Sequence, residues 1–231
     1  MGGTQRSRQV QLERYPLIGA VEGNQELLYF KHLKAILDRN DPSKTLVVQY
    51  EDVGGSSPLV VVQRAQRARS SGAQKISAVF DHDNKEDEFC KALHLCSRKH
   101  IWPSYSNMNF DLWLLLHKAP FTKPVNSTDE YKDYVRAAYQ LDRHADIKSE
   151  TFQRRILAQI DLSDVLHAIR RAEDIRLMKD ACQKTARTTA CGLDEPCYEN
   201  PDLLIRQHVK NLICECLGRK RYNELRTAIS L

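Results

Sequence analysis

The stretch ISAVFDHDN, Ile76 to Asn84, decides the fold. Its first half is a short run of apolar and small residues, bounded by a Ser-Gly breaker before it and by polar turn formers after it. A run of that length and composition reads as a strand buried on both faces. It ends abruptly in two aspartates separated by one residue. In an extended chain residues i and i+2 point the same way, so Asp81 and Asp83 aim two carboxylates at one place as the chain leaves the strand.

The same grammar repeats on either side of this stretch. Residues 17–21 (LIGAV) form an apolar run that ends at Glu22-Gly23. From Asn24 the spacing becomes helical, with Leu27, Phe30, Leu33 and Leu37 on one face and Asn24 placed to cap the start. Residues 45–50 (TLVVQY) read as a second strand. Gly54-Gly55-Ser56-Ser57-Pro58 follows, and Ser57 before Pro58 predicts an N-cap and a first helical residue, with the helix running to Ser71-Gly72. After Asp83 a helix is expected with Phe89, Leu93 and Cys96 on its apolar stripe. Residues 101–105 read as a fourth strand ending in Ser106-Asn107, and residues 110–116 (FDLWLLL) as a buried helix. The alternation predicts an α/β fold, a mainly parallel four-stranded sheet flanked by helices. Functional residues of such sheets gather beyond the carboxyl ends of the strands. Glu22, the Asp81/Asp83 pair and Ser106-Asn107 are therefore predicted to meet.

The second half of the chain reads as helical: residues 131–141, 152–160 and 162 to about 188, then a loop at 191–200. Asn200-Pro201 is expected to cap a last helix with Ile205, Val209, Leu212, Ile213 and Cys216 on its apolar face and Gly218 just past its end. The expected division is an N-terminal extension (1–14), an α/β catalytic core (15–125) and a helical C-terminal region (126–231) packed on that core.

Composition sets bounds. The chain has 231 residues, 42% of them hydrophobic and 28% charged, ordinary values for a soluble globular protein. No stretch approaches the roughly 18 uninterrupted apolar residues that a membrane span needs. The opening MGGTQRSRQVQLER lacks the apolar segment of a signal peptide, and a cytoplasmic location with no membrane partner is expected. The seven cysteines are odd in number and no two are spaced C-x2-C, which predicts reduced thiols rather than a disulfide framework or a zinc ribbon. A net charge of +5 is compatible with a polyanionic partner. Basic residues cluster at Arg64, Arg67 and Arg69, at Arg154-Arg155, at Arg170-Arg171 and at 219–221; each cluster is either a nucleic-acid contact or a solvated helix face.

The chemistry rests on the strand-end acids. Mg²⁺ takes oxygen ligands and keeps several waters. Asp81 and Asp83 offer such ligands, and Glu22, from a neighbouring strand end, completes the site or serves as acid/base. A metal held so stabilises charge on a phosphoryl group and activates water. The competing reading is plain turn chemistry, since Asp is favoured in loops and caps. Two negative strand tips side by side would repel, and that cost favours a cation. Asn107 and Asp111 read either as site residues or as caps. Trp113 reads as core or as a base-stacking ring, with core favoured. His117 reads either as a phosphate donor or as a structural histidine.

Longer strings carry a resemblance. Val21-Glu22-Gly23-Asn24-Gln25-Glu26 with Leu28-Tyr29-Phe30 resembles the opening "EGxTExxYF" of the RloB family. Phe80-Asp81-His82-Asp83 resembles its "(F/W)DxD", and Ser106 to His117 (SNMNFDLWLLLH) its "SNPxFExWLLLH". Ile147-Lys148 matches a "YxK"-like position, and residues 168–172 and Asn200-Pro201 with Val209 match weaker signatures. The resemblance runs from about residue 15 to about residue 215. It implies a Toprim-like α/β fold, the class that includes topoisomerase, primase and OLD-nuclease catalytic domains. It further implies a Mg²⁺ site that also accepts Mn²⁺, nuclease activity on RNA such as tRNA or on DNA, and a role in prokaryotic antiphage defence beside an AAA- or ABC-type ATPase. A homo-oligomer is compatible with it. Carried over by position, Glu22 is the general acid/base and a metal ligand, Asp81 and Asp83 are metal ligands, and Glu26 is the second acid of the opening. Lys148 and His117 take catalytic roles toward phosphate, and Asp111 and Trp113 are further family positions. Arg64 and Arg67, from the basic cluster, and Asn107, at a strand end, are the expected nucleic-acid contacts. The chain departs from the family at Gln25 (usually Thr), Met108 (usually Pro) and Asp111 (usually Glu), and DHDNK lacks a third aspartate. Those departures keep a rival in view: a nucleic-acid-binding or regulatory subunit that retains the scaffold and does little chemistry.

Overall fold

The computed structural model describes residues 17–42, 47–68, 73, 75–82, 86–123, 125, 127–182 and 202–229, with residues 179–182 and 202 described in backbone only. Four strands alternate with helices in the first half: β1 (Leu17–Val21), α1 (Asn24–Asn40), β2 (Val48–Asp52), α2 (Pro58–Arg67), β3 (Lys75–Asp81), α3 (Glu86–Lys99), β4 (Trp102–Asn107) and α4 (Asp111–Lys118). Then come α5 (Thr128–Ala138), α6 (Glu150–Leu157), α7 (Leu162–Cys182), β5 (Asp202–Leu203), α8 (Ile205–Leu217) and α9 (Arg219–Ala228).

The sheet order is β2-β1-β3-β4-β5. The first four strands are mutually parallel, as expected, and β5 adds a two-residue antiparallel edge beside β4. Strand β3 is buried through its middle and lies inside the sheet; β2, at the edge, has the alternating exposure of a half-solvated strand. Alternation along the strands sends side chains to two cores. Leu17, Val21 and Val79 face α1 and the C-terminal helices; Ala20, Ile76, Ala78 and Phe80 face α2 and α3. Helix α4 is apolar almost all round, and residues 111–117 are all buried, the fate of a helix with no polar face.

One crowded contact locks β1 to its neighbours. A Cβ at Gly19 would lie 2.5 Å from the Tyr50 ring and 2.6 Å from Ser77 Oγ. The Tyr50 ring has nowhere to go: it stacks on Phe30 at 4.4 Å, and its hydroxyl bonds His208 Nε2 at 2.6 Å. A glycine is required there by close approach, not by its backbone angles.

Several boundaries differ from the sequence expectation. Gly23, not Asn24, is the N-cap of α1; Asn24 is its first helical residue. The extended backbone of Gly23 presents its N–H to the Glu26 carboxylate, which accepts it at 3.1 Å and so takes over the capping task. Strand β4 runs on through Ser106 and Asn107. Helix α8 starts at Ile205, directly after β5, instead of being capped by Asn200-Pro201; β5 intervenes because Leu204 N–H bonds back to Tyr105 O at 3.0 Å. Gly218 does end α8, with φ +88, but it turns the chain straight into α9, a helix the sequence reading left out. The far end of the expected 162–188 helix and the 191–200 loop lie outside the described residues. The expectation that all thiols are free is corrected at Cys90, which is disulfide-bonded; among the described residues Cys96, Cys214 and Cys216 are free. Among the described residues no helix is long and apolar enough to cross a membrane.

Gly19→Ala is expected to lower stability by about 1–3 kcal/mol, the usual cost of overpacking a tight core. Thermal unfolding of the variant against the wild type checks it, and an unchanged midpoint would contradict the close packing.

Candidate functional site

The parallel register sets the site. Val21 of β1 is level with Val79 of β3, and Asp81 of β3 with Ser106 of β4. The first residue beyond β1, Glu22, thus comes level with the end of β3. Its backbone is held from both sides: Glu22 N–H donates to Val79 O at 3.0 Å, and Gly55 N–H donates to Glu22 O at 2.7 Å. Gly54 and Gly55 reach that position through φ values of +78 and +71, which side-chain-bearing residues rarely adopt. Fixed in this way, Glu22 turns its carboxylate toward β3, and Oε2 accepts the Asp81 N–H at 2.8 Å. Asp81 Oδ2 in turn accepts the Phe110 N–H at 3.3 Å. Asp83 lies outside the described residues.

Two more acids stand close by. Glu26, one turn into α1, is buried. Burial first, then the neighbouring carboxylates Glu22 and Asp111, push its carboxyl up to about 7, against the pull of a backbone N–H and of Lys148. Asp111, at the N-terminus of α4, is 0% exposed. Its Oδ1 accepts from Gln25 Nε2 at 2.8 Å and from Lys148 Nζ at 3.0 Å, and its Oδ2 accepts from Asn109 Nδ2 at 3.2 Å. The Lys148 ammonium also donates to Gln25 Oε1 at 2.6 Å. Burial opposes its charge, yet Asp111, Asp81 and Glu26 together hold its pKa above the ordinary lysine value.

The fold therefore brings Glu22, Glu26, Asp81, Asp111 and Lys148 together from widely separated parts of the chain. Gln25 and Asn109 join them. Gln25 was legible only as a departure from the family string, and Asn109 only as an Asn two residues before a helix start. Asn107 closes β4 and is buried, level with Asp202 of β5. Arg64 and Arg67 lie in the last turn of α2. Arg64 pairs with Glu51, and both arginines line a surface cavity of about 350 Å³ with Glu51, Asp52, Ser56 and Gln63. That cavity flanks the Gly54-Gly55 turn that holds Glu22.

Trp113 and His117 are not brought to this edge. Trp113 is 0% exposed and packs on Tyr29 and His117, with ring centroids 6.2 and 5.1 Å away. His117 Nδ1–H donates to Trp113 O at 2.8 Å, which leaves Nε2 to accept from the Tyr29 hydroxyl at 3.2 Å. Both ring nitrogens are engaged within the core, and burial lowers the ring pKa to about 4.

Among the described residues no three His, Cys, Asp or Glu side chains are grouped to hold a metal ion by themselves. Glu22, resting on the Asp81 backbone, and Asp81 offer an all-oxygen pair. Mg²⁺ characteristically binds one or two carboxylates and completes its shell with water and substrate phosphate, so this donor set suits it.

Fold and site define a class: a parallel α/β protein whose strand ends converge carboxylates and one lysine. The chain belongs to the RloB-like family; the family model, described as RloB-like protein, matches residues 17–201. No curated protein and no solved structure matches the chain.

His117 and His208 are both buried with pKa values lowered to about 4, so the unfolded chain, near 6.5, binds the protons first. Their contribution to stability is complete above about pH 6.5 and is lost as pH falls toward 4, roughly 3 kcal/mol for each ring. Glu26, with its pKa raised, works in the opposite direction over pH 4.5 to 7. A melting temperature that falls on acidification below pH 6.5, with both rings neutral at pH 6 by NMR, is expected; a protonated His117 at pH 6 would contradict the buried hydrogen-bonded ring.

Proposed function

We propose that the protein is a Mg²⁺-dependent nuclease that hydrolyses phosphodiester bonds in RNA, such as tRNA, or in DNA. The observation that carries this reading is the carboxylate of Glu22 resting on the backbone of Asp81, two acids from separate strand ends sharing one edge of a parallel sheet. Glu22 and Asp81 would hold the ion, with Asp83 as the third carboxylate and Glu26 behind Glu22. When bound there, Mg²⁺ supplies charge to the phosphoryl oxygens and a more acidic water, and Mn²⁺ serves the same role. Glu22 is the group that accepts or returns the proton of the attacking water. Glu26, titrating near neutrality and close to Glu22, keeps a full second negative charge from building up beside it. Lys148 offers its ammonium to a phosphate oxygen. Arg64 and Arg67, beside the Gly54-Gly55 turn, grip the backbone without reading sequence. A role in prokaryotic defence beside an AAA- or ABC-type ATPase belongs to the same reading, supported by membership of the RloB-like family.

The experiment incubates purified protein with tRNA, single-stranded RNA and plasmid, in Mg²⁺, Mn²⁺ or EDTA, and compares Glu22→Ala and Asp81→Ala with the wild type. Cleavage by the wild type, abolished by EDTA and reduced about 100-fold or more in each variant, is the expected result. Cleavage undiminished in both variants would end the proposal. Binding without cleavage in every condition, with the ATPase present, favours a nucleic-acid-binding or regulatory subunit instead.

A further inference from the structure

We infer that Gln25, Asp111 and Asn109 form a buried clamp that positions the Lys148 ammonium to meet a phosphate oxygen of the substrate. The last part of that role rests on the nuclease reading; the holding of the ammonium rests on geometry alone.

Lys148 arrives from the segment between α5 and α6, and its backbone is fixed before its side chain is. Its N–H donates to Asp146 Oδ1 at 3.1 Å, and Ser149 Oγ donates to Asp146 O at 2.8 Å. The lysine side chain is 42% exposed, yet its ammonium donates to Gln25 Oε1 and Asp111 Oδ1. An ammonium carries three N–H donors. Two are used by these contacts among the described residues, which leaves one for a ligand.

Asp111 has no solvent to satisfy it. Its three donors are Gln25, Lys148 and Asn109, and these hydrogen bonds satisfy the buried carboxylate and fix its position. It is an anchor for the lysine. Asn109 supports it twice, donating from Nδ2 to Oδ2 and accepting the Asp111 N–H on Oδ1 at 3.1 Å. Gln25 is the piece that only an amide can supply: one end group donates to Asp111 and accepts from Lys148. A carboxylate at that place loses the donor and sets a second negative charge against Asp111. Gln25, Asp111 and Asn109 are thus positioning residues, and Lys148 is the group they act through.

The test has two readouts. In the first, lysines of the wild type, Gln25→Ala, Gln25→Asn and Asp111→Asn are acetylated under limiting reagent and quantified by mass spectrometry, with exposed Lys91 as the internal reference. Lys148 is expected to react on the order of 10-fold more slowly than Lys91 in the wild type, with the gap closing in the variants. In the second, the same variants lose between about 10- and 100-fold in kcat with little change in KM, and Asp111→Asn adds no further loss to Lys148→Ala. Melting temperatures identify any variant that fails to fold; the wild-type labelling and the milder Gln25→Asn change then decide. Wild-type Lys148 as reactive as Lys91, or a cleaving enzyme indifferent to Gln25→Ala and Gln25→Asn, or additive losses, overturns the clamp. A protected Lys148 in a protein that cleaves nothing supports the clamp and removes the nuclease reading.

Discussion

Everything at the candidate site follows from the parallel pairing of β1 with β3. That pairing brings Glu22 level with the end of β3, and the hydrogen bond from Asp81 N–H to the Glu22 carboxylate joins two acids that lie far apart in the chain. A one-residue slip would turn every side chain of β1 to the opposite face. Leu17 and Val21 would leave the core they share with α1, and Glu22 would no longer reach the edge. The register is therefore enforced by packing, with Gly19 under the Tyr50 ring as its tightest point.

The two sides of the sheet do different work. Helices α2 and α3 cover one face with a compact apolar layer. The other face carries α1, α4 and the C-terminal helices, and from that side come Glu26, Asp111 and Lys148. Helix α4 links core to chemistry. Its middle and end are committed to packing, through Trp113 and His117, while its first residue, Asp111, faces Gln25 and Lys148. A rigid helix with an apolar body and a polar first residue holds that carboxylate in place without any contribution from solvent.

The fold was largely legible because its signals are local: short apolar runs, helical spacing, and glycines at turns. The strand ends were legible too, since Glu22 and Asp81 each stop an apolar run. What the sequence concealed depends on contacts made in three dimensions. Asn24 has the composition of a cap, but the longer reach of Glu26 to Gly23 N–H won. A two-residue strand such as β5 has no periodicity to read. His117 could have been a donor to phosphate or a core histidine, and only the Tyr29 hydroxyl and the Trp113 carbonyl decide its engagement. Gln25 is an unremarkable polar residue on paper; its place between a carboxylate and an ammonium arises from tertiary packing alone.

The most direct measurement is the anomalous scattering of Mn²⁺ in crystals of the wild-type protein. A peak is expected between the Glu22 and Asp81 carboxylates, at roughly the 2.0–2.2 Å separation of a small hard cation from oxygen. A fully occupied Mn²⁺ elsewhere, with Glu22 still resting on the Asp81 backbone and its carboxylate unmoved, would contradict the shared metal edge.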